Sequence, residues 1–325
     1  AVPSFGPLTA LDEVPPGTQQ TVANYVMSNP LTLFGNLSFV GGVNPTIDLN
    51  DDLIYTTSPG VATTGIAAVT VTIQDNGGVT DGGVDTGDPV DFYVVVGQAN
   101  PALPPLGLVQ NWTVVLDATS TILEIRETGN PSNLLFSQAL ATLTDGIQIR
   151  GTTASNELTF DYTNGTPIPD GVGVIYAGGS GAGIDSMRLI NGTVDSVDHT
   201  LRAGDQGTVI STTGGNARTI NYIQLDSQIT ETIVATDRSF TFSDVDDDIS
   251  LVDDATAGNG ISSISSVVKG TGTKSSVGVT FTSTSLVASS LTIDADSATG
   301  AGSDLLRVNG FDSVVDAQSF NGIGG

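Results

Sequence analysis

Apolar and polar residues alternate along most of this chain. "AAVTVTIQ" (67–74), "DFYVVV" (91–96), "NWTVVLD" (111–117), "ELTFDY" (157–162) and "SLTID" (290–294) bring aliphatic or aromatic side chains to alternate positions. A period of two is that of a strand with one face turned to a core. Apolar residues at i, i+3, i+4 and i+7 are not sustained over any long stretch, and Gly, Asn and Asp punctuate the runs. The pattern predicts an all-β protein, with one short helical piece near 132–142 ("SNLLFSQALAT").

The grammar of these runs changes along the chain. In residues 1–97, prolines at 3, 7, 15, 16 and 30 keep the early strands short or at sheet edges. Two stronger strands then flank the Gly/Asp-rich hairpin "DNGGVTDGGVDTGDP" (75–89), as expected of a β-sandwich. Residues 98–110, with three prolines and little charge, read as a linker. From 111 to 325 the strands are short and an internal repeat is visible. "DSMRLINGTVDSVDHT" (185–200) and "DLLRVNGFDSVVDAQS" (304–319) share D-x-x-R, then N-G, then D-S-V and a further Asp. Each copy follows an "LT-x-D" strand, and the copies lie about 120 residues apart. That spacing predicts several coils per super-repeat of a parallel β-helix, in which coils of roughly 20 residues stack about 4.8 Å apart.

Two resemblances sharpen this picture. "PSFG" (3–6), "LDEVPPGTQQTVANYV" (11–26) and the 75–89 hairpin resemble the bacterial immunoglobulin-like, cadherin-like repeats of very large secreted surface proteins. The resemblance implies an immunoglobulin-like sandwich acting as a spacer or adhesive module. Over about 150–320, "LTFDYTNGTPIPDGVGVIYAGGSGAGIDSMRLING", "TDRSFTFSDVDDDISLVDDATAGNGISSI" and "SLTIDADSATGAGSD" follow the order of the solenoid-like repeats of giant planctomycete-type secreted proteins, which they resemble. Relatives of that kind often carry a calcium-binding G-G-x-G-x-D nonapeptide. Here only "DADSATGAGSD" (294–304) stands in its place.

Charge narrows the function classes. The 325 residues carry a formal charge of −26, and only 9 are Lys or Arg. A nucleic-acid binder needs a basic footprint, so that class is excluded, and an anionic membrane surface is disfavoured. Most of the 35 acidic residues are Asp, a residue of turns and hard-cation sites, and not Glu. With no Cys, disulfides and thiolate metal sites are excluded. No apolar run is long enough to span a membrane as a helix. An opening at Ala1, without Met or a charged apolar leader, fits a mature secreted chain, and equally a sequence that starts inside a longer protein; the first reading is the expectation here, with the protein outside the cell or on its surface.

The candidate chemistry lies in the aspartates. Asp244, Asp246 and Asp248 alternate, which on a strand or loop sets three carboxylates on one face, and Asp253 and Asp254 follow. Mutual repulsion at such a spacing recruits a hard cation, calcium above all. Asp48, Asn50 and Asp52 repeat the pattern, and Asp75, Asp81, Asp85 and Asp88 of the hairpin form a third set. Neither of the first two is an EF-hand: the Gly and Glu positions hold Ile249 and Ala255 in the first set, Leu53 and Pro59 in the second. The alternative for all three is a solvated acidic turn. A catalytic reading fares worse. Asp247 and Asp248 are adjacent and point to opposite faces, the nearest cation in sequence is Arg238, and no G-x-S-x-G frames a nucleophile for His199. His199 reads as an exposed strand-end residue. Trp112 reads as core, with a sugar-stacking platform as its alternative. The sequons at Asn36, Asn111, Asn164 and Asn191 are no more than chance supplies in a Ser/Thr-rich chain, and "GGSGAG" (178–183) lacks the Lys-Ser/Thr of a phosphate loop.

The chain thus reads as a non-enzymatic extracellular structural protein, a subunit that polymerises with itself head to tail into a filament or surface fibre. The open end of its solenoid would meet the N-terminal segment or sandwich of the next copy. The alternative is an adhesin module displaying a face for surface glycans or proteins.

Overall fold

The computed structural model describes residues 22–27, 31–35, 46–47, 53–54, 65–75 and 90–96, and then 111–323 apart from 153, 180–182, 203–204, 244–246, 255, 257–258, 269–271, 273, 283–289, 296–303 and 310–319. The chain forms two compact units, Ala1–Gln98 and Ala99–Gly325. The described residues are all-β and hold no α-helix.

The first unit contains strands β1 (Val22–Met27), β2 (Leu31–Gly35), β3 (Thr46–Ile47), β4 (Leu53–Ile54), β5 (Gly65–Asp75) and β6 (Val90–Val96). The eleven-residue β5 carries the sheet. β1, β2 and β6 all pair with it antiparallel, and β3 pairs with β4. Ala67, Val69 and Val71 share one face of β5 and are buried, which is the alternation read from "AAVTVTIQ". The predicted hairpin arms do pair, Gly65 opposite Val96 through Val71 opposite Val90. The connection 76–89 lies outside the described residues.

The second unit has eighteen strands among its described residues: β7 (Asn111–Leu116), β8 (Ile122–Glu127), β9 (Asn130–Ala139), β10 (Ile147–Arg150), β11 (Glu157–Asp161), β12 (Val174–Ala177), β13 (Ser186–Ile190), β14 (Thr193–Arg202), β15 (Gln206–Thr213), β16 (Asn216–Ile223), β17 (Gln228–Glu231), β18 (Val234–Ser243), β19 (Asp247–Asp253), β20 (Ile261–Val268), β21 (Gly278–Thr282), β22 (Ser290–Asp294), β23 (Leu305–Val308) and β24 (Phe320–Ile323). They make two mixed sheets. One has the order β10-β12-β16-β15-β14-β18-β22-β24, the other β23-β19-β20-β21-β17-β13-β11-β7-β8-β9. From β9 onward the chain passes back and forth between them, so strands two passes apart pair parallel, as in β11–β13–β17 and β14–β18–β22.

A purely parallel ladder was the expectation, and the sheets are mixed. At three places the chain doubles back within one sheet before crossing: β7-β8-β9, β14-β15-β16 and β19-β20-β21 are antiparallel triplets. The physical cause is plain at β15–β16. Gly214 and Gly215 both have positive φ, 57° and 78°, between the paired Thr213 and Asn216. Two left-handed residues give the primed two-residue turn that matches the twist of a hairpin. The segment 132–142 is also corrected. It is strand β9 followed by a single 3-10 turn, Leu140–Thr142. Pairing with β8, with Phe136 opposite Ile125, overrides a weak helix propensity, and Leu135, Phe136 and Leu140 pack against the core.

Both sheets contribute to one core. Trp112, Val114, Leu158, Phe160, Met187 and Leu189 from the ten-stranded sheet share it with Ile147, Tyr176, Tyr222, Phe240 and Phe242 from the eight-stranded one. Trp112 is fully buried there, so it is no sugar platform.

Candidate functional site

Of the residues predicted to hold a cation, Asp48, Asn50, Asp52, Asp81, Asp85, Asp88, Asp244 and Asp246 lie outside the described residues. Asp75 is the last residue of β5, its backbone opposite Val22, and not part of the hairpin connection. Asp248 faces outward from β19 and forms a two-pronged ion pair with Arg307, Oδ1 to Nε at 2.8 Å and Oδ2 to Nη2 at 3.0 Å. Its cation is therefore Arg307, on the strand paired parallel with β19, and not Arg238. Asp247, one position earlier, turns inward with Ile249 and Leu251. Asp254 accepts from the Thr256 backbone N–H and from Asn259 Nδ2, a local turn motif. Asp253 Oδ1 is buried with no partner among the described residues. Among the described residues no three acidic or histidine side chains are grouped to hold a metal.

The internal repeat turns out to have a common geometry. Asp185, just before β13, accepts the Asn156 backbone N–H on Oδ1 at 2.8 Å; Asp304, just before β23, accepts that of Asp247 at 2.7 Å. In both places the Asp secures the N–H at the start of the neighbouring strand, β11 or β19, to which its own strand pairs parallel. Three residues on, Arg188 approaches Glu157 at 3.6 Å and Arg307 pairs with Asp248. The two copies differ in what covers them. Met187 and Leu189 are fully buried, with β17 alongside. Their counterparts are Leu306 and Val308. Val308 is 42% exposed, and among the described residues no strand pairs with β23 on the side away from β19.

His199 overturns the expectation of an exposed strand end. It sits inside β14, its side chain fully buried, with Nε2 2.8 Å from Glu231 Oε1 of the opposite sheet. Arg238 Nε donates to Glu231 Oε2 at 3.2 Å, and its other nitrogens reach the Thr282 and Ile233 carbonyls. Phe240 stacks on the imidazole at 5.0 Å, and Phe281 lies 5.1 Å from the guanidinium. Burial pushes the Glu231 carboxyl up, but the charges of His199 and Arg238, with their hydrogen bonds, outweigh it and hold it below the ordinary value. Enclosed on all sides, this cluster joins the two sheets across the core and offers no opening to a substrate. At the corner beside β13, burial raises Asp185 to about 6, opposed by the Asn156 N–H and reinforced by Asp226.

The outer face of the ten-stranded sheet holds an open groove of about 390 Å³, over β7, β8, β11 and β13. One cross-strand row, Arg126–Thr113–Thr159–Arg188, runs through it in register. A second row, Glu124–Val115–Asp161–Ile190, lies beside it. Arg126 is committed to Glu124 and to the Pro131 carbonyl. Asp161 is committed to Thr163 and Asn191. Thr159, 2% exposed, has a hydroxyl with no partner among the described residues. Sequence reasoning passed over this groove because its residues come from four strands, each ordinary alone. No protein family, curated protein or solved structure matches the chain.

Proposed function

We propose that the chain is an extracellular structural protein, a subunit whose copies join head to tail into a filament or surface fibre. The observation that carries this reading is that β23, unlike its counterpart β13, has no second strand partner among the described residues. At β13 a following parallel strand completes the burial of the inward row; at β23 the same motif leaves Val308 exposed, with Leu305 also 37% exposed. Sheet edges with unpaired N–H and C=O groups accept further strands. A strand from a neighbouring copy, supplied by its N-terminal segment or first unit, would complete the β23 rung as β17 completes β13. The passage of the chain between two sheets supports a solenoid as the finer description of the second unit, and the antiparallel sheet around β5 supports an immunoglobulin-like sandwich for the first. A surface charge of this size keeps free subunits apart until contacts form. Calcium at the 244–254 and 75–88 aspartates would lower that repulsion where copies meet.

Negative-stain electron microscopy with calcium, and again after EDTA, tests the reading. Fibres are expected with calcium. Removing the first ten residues, or placing Lys at Val308, is expected to leave folded monomers. Fibres that persist in both variants would rule out strand addition at β23, and monodisperse particles under every condition would favour a display role for the chain.

A further inference from the structure

We propose that the groove on the outer face of the ten-stranded sheet is a binding site for a neutral oligosaccharide, held by Arg188 and Thr159. This goes beyond the structural reading above and does not depend on it, since the groove lies on a sheet face and not at the β23 edge.

The site is defined by what its residues leave unused. Arg188 has five N–H donors, yet its one ion pair among the described residues, to Glu157, is 3.6 Å long, beyond hydrogen-bonding distance. The neighbouring Arg126, by contrast, is bound at 2.6–2.9 Å through three nitrogens. Next to Arg188 in register stands Thr159, on the outward row of β11, buried and with its hydroxyl unpartnered. A buried hydroxyl without a partner is a cost to the free protein that an acceptor on a ligand would relieve. The groove therefore brings together a weakly engaged guanidinium and a hydroxyl that has no partner among the described residues.

Charge decides which acceptor fits. Asp117, Glu124, Glu127 and Asp161 line the same groove against two arginines, inside a chain of net charge −26. An anionic ligand would meet that excess of carboxylates, whereas hydroxyl and ether oxygens accept from Arg188 and Thr159 without it. Sugar hydroxyls also donate, and the acidic side chains can accept from them. Val115 and Ile190 provide aliphatic contact for the C–H faces of a sugar ring. At about 390 Å³ the groove falls in the ~300–1,000 Å³ range of ligand pockets.

The test uses the full chain against hexasaccharides of β-linked glucose and α-linked mannose, with oligogalacturonate as the anionic comparator and an unbiased peptide pool as the other class of polymer. Glycan-array retention is followed by calorimetry. Binding of a neutral hexasaccharide is expected, with none of oligogalacturonate. Arg188→Ala should weaken it at least about tenfold, the loss of a charge-assisted hydrogen bond. Thr159→Val should weaken it about threefold or more while leaving the thermal midpoint of the free protein unchanged or raised, because that hydroxyl has no partner among the described residues. Arg218→Ala, on the other sheet, should bind like the parent chain. Failure of both neutral sugars to bind, equal binding by the Arg188 and Thr159 variants, or preference for oligogalacturonate or peptide would each overturn the proposal.

Discussion

β13 and β23 are built from the same motif and lead different lives. Each starts beside an Asp that secures the first N–H of the neighbouring strand, and each sends an Arg outward to an acid two positions back on that strand. On the inward side, Met187 and Leu189 are sealed while Leu306 is half-buried and Val308 exposed. The difference does not lie in hydrophobicity, since all four are apolar. It lies in β17, which pairs with β13 and is itself tied to the opposite sheet through Glu231. In these sheets a residue's contribution depends on the strand beside it as much as on its own side chain.

The strongest way to break the comparison is to release the strand that makes it. Glu231→Ala leaves His199 and Arg238 buried without their carboxylate and should cost about 3–5 kcal/mol in urea unfolding. Replacing all three by apolar residues of similar volume should recover most of that loss, which separates the penalty of orphaned charge from any net gain of the cluster. The Glu231 carboxyl is held below its usual value, so its contribution is complete above the unfolded-state range near 4.3 and disappears as pH falls through the folded value. A cost below about 1 kcal/mol for Glu231→Ala would mean that β17 does not depend on this cluster. Next in size, Met187→Ala should cost about 2–5 kcal/mol by leaving a cavity. Leu306→Ala, at the equivalent place, should cost under about 1.5 kcal/mol in the monomer, because water already reaches that row. Equal costs at the two sites would show that β23 is covered in solution.

How much of this was legible beforehand depends on the residue. Period-two alternation was enough to read an all-β chain, and the parity of Asp247 and Asp248 on opposite faces was correctly read. His199, Glu231 and Arg238 were missed, although their positions carried a signal. Each occupies the apolar parity of its strand, in Val197-His199-Leu201, Ile229-Glu231-Ile233 and Arg238-Phe240-Phe242. A charged residue in an inward register needs an opposite charge across the core, and three such residues at once suggest one cluster. The β15–β16 excursion was signalled too, by the Gly214-Gly215 pair, a strong hairpin mark that a parallel coil has no place for. The groove had no linear signal at all: register across four strands assembles it.

Asp185 gives the next effect. Burial lifts its carboxyl to about 6, above the ordinary value near 3.9, so the folded protein holds a proton there that the unfolded chain has released. Its favourable contribution is present below about pH 4 and is lost as pH rises toward and past 6, a change of about 3 kcal/mol. Asp185→Asn keeps an oxygen for the Asn156 N–H without the charge. Unfolding free energies of the two proteins from pH 4 to 7 should diverge steadily, with the variant the more stable at pH 7. Asp304→Asn, at the half-buried copy, should shift stability by about 1 kcal/mol or less. Parallel curves for Asp185→Asn and the parent would mean the corner stays hydrated.

The smallest effect concerns the arginines of the two copies. Arg307 and Asp248 make good geometry, yet their side chains are 53% and 24% exposed; Arg188 and Glu157 are 40% and 31% exposed and farther apart. Water and salt screen such pairs, so Arg307→Ala and Arg188→Ala should each cost about 0–1 kcal/mol, and less still in 1 M salt. A loss above about 2 kcal/mol for Arg307→Ala alone would carry a specific meaning. With no strand pairing β23 on the side away from β19 among the described residues, the ion pair would then be what reinforces its pairing with β19, and not the inward contacts of Leu306. The equivalence of the two copies would fail at its root, because β13 is held by core packing on both sides. A small loss at both positions leaves the neighbouring strand as the one physical difference between them.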